Sequence, residues 1–184
     1  MQVSSPIADA PPPASMPRYP APVLRAGASR HVVVVLGPPD AAMREFLDTL
    51  RGVAADRQTL LAFPAATQDD AQAVMLALQQ SLAQAQAGAQ LYLLGPEALI
   101  WRLCNLARSM GLQPEEISLL RAQSAERPVY CVHCASLQQA GPGLETNCAH
   151  CGVRLFVREH FSQRLGAYMG VCANAQQPYA KDAA

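Results

Sequence analysis

Two C-x-x-C pairs constrain this chain more than any other feature. Cys131 and Cys134 form the first and Cys148 and Cys151 the second, with thirteen residues between them. Each such turn aims two sulfurs at one point. Two turns together supply the four soft ligands of a tetrahedral ion, with metal–sulfur bonds of about 2.3 Å. The connecting segment carries Gln138, Gln139, Gly141, Pro142, Gly143, Thr146 and Asn147, the composition of a hairpin that brings the pairs together. The spacing predicts one four-cysteine metal site, read as a single structural Zn2+ held by Cys131, Cys134, Cys148 and Cys151. Two disulfides would need an oxidising compartment, and the N-terminus lacks the basic-then-apolar pattern of a secretory signal. A lone redox dithiol leaves the second pair unexplained. Iron stays open, because rubredoxin-type sites use the same two knuckles; a [2Fe–2S] cluster fits the spacing poorly. His133 and His150 lie inside the knuckles and are read as flanking residues. A Cys3His set using one of them is the alternative.

The chain has 184 residues, enough for one medium domain and a small module. Hydrophobic residues make up 51% but aromatics only 5%, so the core must be aliphatic. Fourteen basic and fourteen acidic residues cancel, which argues against a general polyanion binder. Residues 121–170 hold five Arg and three Glu, so a nucleic-acid-binding ribbon is a weak alternative. No apolar run approaches the roughly 18–20 residues that cross a bilayer. Thiols without an export signal point to a reducing, cytoplasmic location.

Residues 1–29 read as a Pro/Ala-rich arm, disordered or extended, because Pro11, Pro12, Pro13, Pro17, Pro20 and Pro22 exclude a helix or a central strand. Residues 30–125 read as an α/β domain. His31–Leu36 is a β-branched run suited to a strand buried on both faces. Asp40 is placed to cap a helix from Ala41 to about Leu50. A strand over Thr59–Phe63 precedes a helix from Thr67 or Gln68 to about Ala87. A third strand over Gln90–Leu94 leads through Pro96 into a helix reaching Met110, and Ile117–Leu120 opens a fourth strand. The order βαβαβαβ implies a partly parallel, Rossmann-like sheet with helices on both faces. Cys104 falls on the apolar face of the third helix as a core thiol, and His31 is read as structural. Residues 126–172 read as a zinc ribbon with a C-terminal docking segment, and 173–184 as a tail. The segment His160 to Val171 mixes apolar and aromatic residues with two glycines. It needs a surface to pack on, either its own ribbon or a partner.

The sheet shows no phosphate-binding sequence. The turn after the first strand is Gly37-Pro38-Pro39-Asp40, where two prolines remove N–H donors and an acid would repel phosphate. Leu91 to Glu97, then Gly111, Leu112 and Ile117, resembles the end of the nicotinamide domain of ferredoxin-reductase-type enzymes. Tyr92-Leu93-Leu94-Gly95-Pro96 stands where that family has Y-x-C-G-P, with Leu94 replacing its cysteine. The likeness is to a degenerate nucleotide domain without its cofactor, and likeness of fold assigns no activity.

The C-terminal part resembles the small, DmmA-like subunit family of heme-dependent dimethylamine monooxygenase. The two C-x-x-C pairs carry the likeness, with Leu155-Phe156-Val157, His160-Phe161-Ser162 and the run from Arg164 to Val171. The resemblance implies a multi-subunit oxidoreductase that converts dimethylamine to methylamine and formaldehyde with NADPH and O2. It implies a hetero-oligomer in which heme, FMN, an iron–sulfur cluster and NADPH belong to partner subunits, one heme-binding and one a flavin/iron–sulfur reductase. This chain is then a noncatalytic structural subunit, with no catalytic residue assigned and no nucleic acid or membrane as partner. The alternative within the same complex is a rubredoxin-like electron carrier. His160, Phe161, Arg164, Tyr168 and Met169 are the expected partner contacts.

Overall fold

The run His31–Leu36 forms β1, and every residue of it is buried. Val32, Val34 and Leu36 enter one core and Val33 and Val35 the other, because successive side chains of a strand point to opposite faces. The computed structural model describes residues 15–64 and 68–176. Residues 1–14 of the expected arm and 177–184 of the expected tail lie outside the described residues.

After β1 come α1 (Ala41–Thr49), β2 (Gln58–Phe63), α2 (Gln68–Ala83), β3 (Gln90–Gly95), α3 (Glu97–Ser109) and β4 (Ile117–Arg121). The four strands run parallel in the order β2-β1-β3-β4. Met43, Phe46 and Leu50 cover one face against Val33, Val35, Tyr92 and Leu94. Val74, Leu78 and Leu82 of α2 cover the other, with Ile100, Leu103 and Ala107 of α3. The result is a parallel sheet with helices on both faces, as a sheet of doubly buried strands requires. α2 ends at Ala83 rather than near Ala87. Ala85 N–H instead bonds to Leu82 O, and Gly88, with φ at +84°, turns the chain into β3.

Asp40 starts α1. One carboxylate oxygen accepts from Met43 N–H at 3.0 Å and the other from Gln123 N–H at 3.1 Å, beyond β4. Those bonds hold its carboxyl below the usual range, the Met43 donor first among them. At the carboxyl ends of β1 and β3, Gly95 has φ +151°, and a Cβ there would lie 2.6 Å from Leu36 Cβ. The two strands therefore meet at the point where open α/β sheets leave a ligand crevice.

β5 (Arg127–Cys131), β6 (Ser136–Ala140), β7 (Glu145–Asn147), β8 (Arg154–Ser162) and β9 (Ala167–Cys172) form a second sheet in the order β6-β5-β9-β8-β7. β5 and β9 pair in parallel; the other pairs are antiparallel. Val129, Leu155, Val157, Phe161 and Tyr168 point inward and continue the core beneath α3. Gly170 is required there, because a Cβ would lie 2.9 Å from Val129 Cγ1 and 3.0 Å from Leu155 Cδ1. The turn between β8 and β9 rests on α3. Asn105 Nδ2 donates to Gln163 O at 2.9 Å, and Gly166 sits against Ala98 and Trp101.

Residues 15–29 lie against both halves. Met16 and Tyr19 pack on the core shared by the two sheets, and Leu24 packs on the core beside α1. No helix among the described residues is long and apolar enough to cross a membrane.

Candidate metal centre

The four thiols come from two matching turns. Cys131 ends β5, and Ala135 N–H closes the first knuckle on Cys131 O at 2.9 Å. Gly152 N–H closes the second on Cys148 O, also at 2.9 Å. The residue after each pair takes the left-handed conformation: Ala135 has φ +58° and Gly152 +73°. Ala135 is the single non-glycine residue with positive φ among those described. A left-handed alanine is costly, and two like turns facing each other account for its being held there.

The sulfurs of Cys131, Cys134, Cys148 and Cys151 all lie within 4.8 Å of one another. Cys131 Sγ is 3.9 Å from Cys151 Sγ, and Cys134 Sγ is 3.6 Å from Cys148 Sγ. A tetrahedral ion with bonds of about 2.3 Å separates its sulfurs by about 3.8 Å. A disulfide needs sulfurs at about 2.05 Å, and all six cysteines are free thiols. Donor type and spacing both fit a tetrahedral tetrathiolate ion. His133 and His150 lie outside this set of four and are exposed at the surface.

The surroundings favour sulfur anions unevenly. Burial pushes Cys131 up to about 12 against the N–H groups of Cys134 and His133. At Cys148 burial also raises the thiol, but donation from Cys151 and His150 N–H, then from Ser136, brings it down to about 6. Ser136 Oγ lies 3.0 Å from Cys134 Sγ and 3.6 Å from Cys148 Sγ. A divalent cation would remove the penalty that burial places on Cys131.

The expected partner-contact residues separate into two groups. His160 and Arg164 are exposed and Met169 is half-buried. Phe161 and Tyr168 point into the chain's own core, 3% and 6% exposed. Phe161 lies 5.6 Å from the Trp101 ring and 5.0 Å from Tyr168.

A polar junction beside these rings has no counterpart in the sequence reading. Tyr19 OH donates to Glu97 Oε1 and accepts from Trp101 Nε1 at 2.9 Å. Burial, and then the Glu97 carboxylate, push the Tyr19 phenol far up. Arg121 stands 3.8 Å from Glu97 and 5.6 Å over the Tyr19 ring; Arg127 stands 5.2 Å over Tyr168. Arm, α3, β4, β5 and β9 thus meet in one cluster. A lone tyrosine among prolines and an acid on an apolar helix were the available signals.

The four thiols, and all of the second sheet but its first and last residues, fall within residues 128–171, which match the C-terminal domain of dimethylamine monooxygenase subunit DmmA-like proteins. Residues 51–117 match the N-terminal domain of the same family. The heme-dependent oxidative N-demethylase delta subunit of Ectopseudomonas mendocina (strain ymp) is 41% identical over 167 residues, which is 91% of this chain and 93% of that relative. This chain belongs to the DmmA-like family. No solved structure matches it. The relative is a subunit of a heme-dependent oxidative N-demethylase. Similarity along nearly the full length of both chains covers the parallel sheet, the junction at Glu97 and both knuckles.

Proposed function

We propose that this chain is a zinc-binding, noncatalytic subunit of a multi-subunit heme-dependent monooxygenase. That assembly oxidatively demethylates dimethylamine to methylamine and formaldehyde with NADPH and O2. Heme, FMN, the iron–sulfur cluster and the NADPH site belong to partner subunits in this reading. The whole operates in the cytoplasm, where free thiols persist. The observation that carries it is the grouping of four thiols at tetrahedral spacing in a chain matched along its length by a delta subunit.

Cys131, Cys134, Cys148 and Cys151 would hold the ion. Zinc supplies a redox-inert, four-point crosslink with no open coordination position. The second sheet needs such a crosslink, because β7 has only three residues and β6 buries only one of its five. Crosslinking β5 to the turn before β8 fixes the inner face of that sheet against Trp101. A zinc-ribbon reading of this sheet and a Rossmann-like reading of the first both agree with this role. Meeting of Leu36 and Gly95 favours a first sheet that supports assembly rather than cofactor binding.

Purification of the assembly through a tag on this chain tests the proposal. Stoichiometric recovery of heme-containing and flavin-containing subunits is expected. An active, stable holoenzyme reconstituted without this chain would overturn it.

A further inference from the structure

β4 is the last strand of the parallel sheet, and among the described residues only β3 pairs with it. An open edge of this kind presents N–H and C=O groups ready to pair with another chain. The arm passes beside that edge without pairing to it. No backbone hydrogen bond joins residues 16–25 to residues 117–121 among the described residues. Pro17, Pro20 and Pro22 remove three of the donors that a ladder would need.

A cavity of about 960 Å³ separates the arm from the strand. Ile117, Ser118 and Leu119 all line it. Neighbouring residues of a strand point to opposite faces, so a cavity touched by all three abuts the edge of β4 rather than one face. Trp101 and Cys104 of α3 form an apolar floor. Three arginines line it, Arg18, Arg25 and Arg108, against one acidic residue, Glu115; Arg25 Nη1 also lies 3.5 Å from Gln90 Oε1 and from Glu115 O. The slot therefore combines an unused backbone edge, an apolar floor and an excess of positive charge.

We infer that this slot receives an extended, acidic segment of another subunit, which adds to the sheet beside β4. The inference rests on the assembly reading above and names the surface through which that assembly is made. An extended chain of about five residues spans about 17 Å and offers alternating donors and acceptors along the whole edge. A compact anion satisfies the arginines but leaves that edge unpaired. Carboxylates on the incoming segment meet the arginines in the bidentate geometry guanidinium groups favour.

Hydrogen–deuterium exchange on the tagged native assembly and on the chain alone tests this. Those amides of residues 117–121 that face the open edge, rather than β3, are expected to slow at least about tenfold in the assembly. Arg18→Glu combined with Arg108→Glu is expected to weaken partner recovery about tenfold without changing the melting of the isolated chain. An intact assembly with unchanged exchange at 117–121 would overturn the inference while leaving the assembly reading standing. A chain recovered without any partner would overturn both. Protection that appears when the isolated chain dimerises would overturn it in favour of a second copy. Protection restored by a small acid released from the denatured chain would overturn it in favour of a small ligand.

Discussion

The Tyr19 hydroxyl donates to the Glu97 carboxylate across 78 residues of sequence and accepts from Trp101 Nε1 at 2.9 Å. That contact fixes the arm to the helix on which the second sheet also rests. Tyr19→Phe leaves a buried carboxylate oxygen and a buried indole N–H without their partner. Unfolding in urea should show a loss of about 1–3 kcal/mol. A loss within about 0.5 kcal/mol would mean that the arm adds nothing to the fold.

Trp101 is the single tryptophan of the chain, is 7% exposed, and packs 5.6 Å from Phe161. Its emission therefore reports on the contact between the sheets. Cys131→Ser or Cys148→Ser should lose the metal, loosen β5 to β9 and shift Trp101 emission to the red. Far-ultraviolet circular dichroism should retain the helical signal of α1 to α3. Unchanged emission with full metal content in either variant would remove these residues from the ligand set.

Gly166 has φ +64°, and a Cβ there would meet Trp101 Cβ at 3.1 Å and Ala98 O at 3.2 Å. Gly166→Ala combines backbone strain with crowding between the β8–β9 turn and α3. Thermal or urea unfolding should show a cost of about 1–3 kcal/mol.

Asp40 caps α1, and its carboxyl lies below the ordinary value because Met43 N–H, Gln123 N–H and neighbouring groups favour the anion. A lowered folded pKa gives stability that is present above the unfolded value and lost as pH falls through the folded one. Asp40→Ala should cost about 1 kcal/mol at neutral pH. The difference between variant and parent should shrink below about pH 4, near the unperturbed carboxylate value. A difference that stays constant down to acid unfolding would contradict the charged cap.

The elements built from local pattern were legible in the sequence. The Val32–Val35 run, the cap at Asp40 and the i, i+3, i+7 spacing of Ile100, Leu103 and Ala107 each carry their own signal. The grouping of the four thiols was legible because C-x-x-C spacing is itself the local geometry. Long-range relations were not. Nothing near Tyr19 announces Glu97, and nothing near Gly95 announces Leu36. Phe161 and Tyr168 were expected at a partner surface because the segment around them lacks a helical period. The strand is irregular between Val157 and Phe161, which hides the alternation that turns both rings inward. A segment with no visible period was a strand pair whose partner face lay on α3.

In the proposed function, four thiolates hold a redox-inert structural ion. Elemental analysis of the purified chain, with its visible spectrum recorded before and after dithionite, tests it most directly. One zinc per chain and no visible absorbance in either state are expected. One iron per chain, with a red colour bleached on reduction, would contradict it and make the centre an electron carrier.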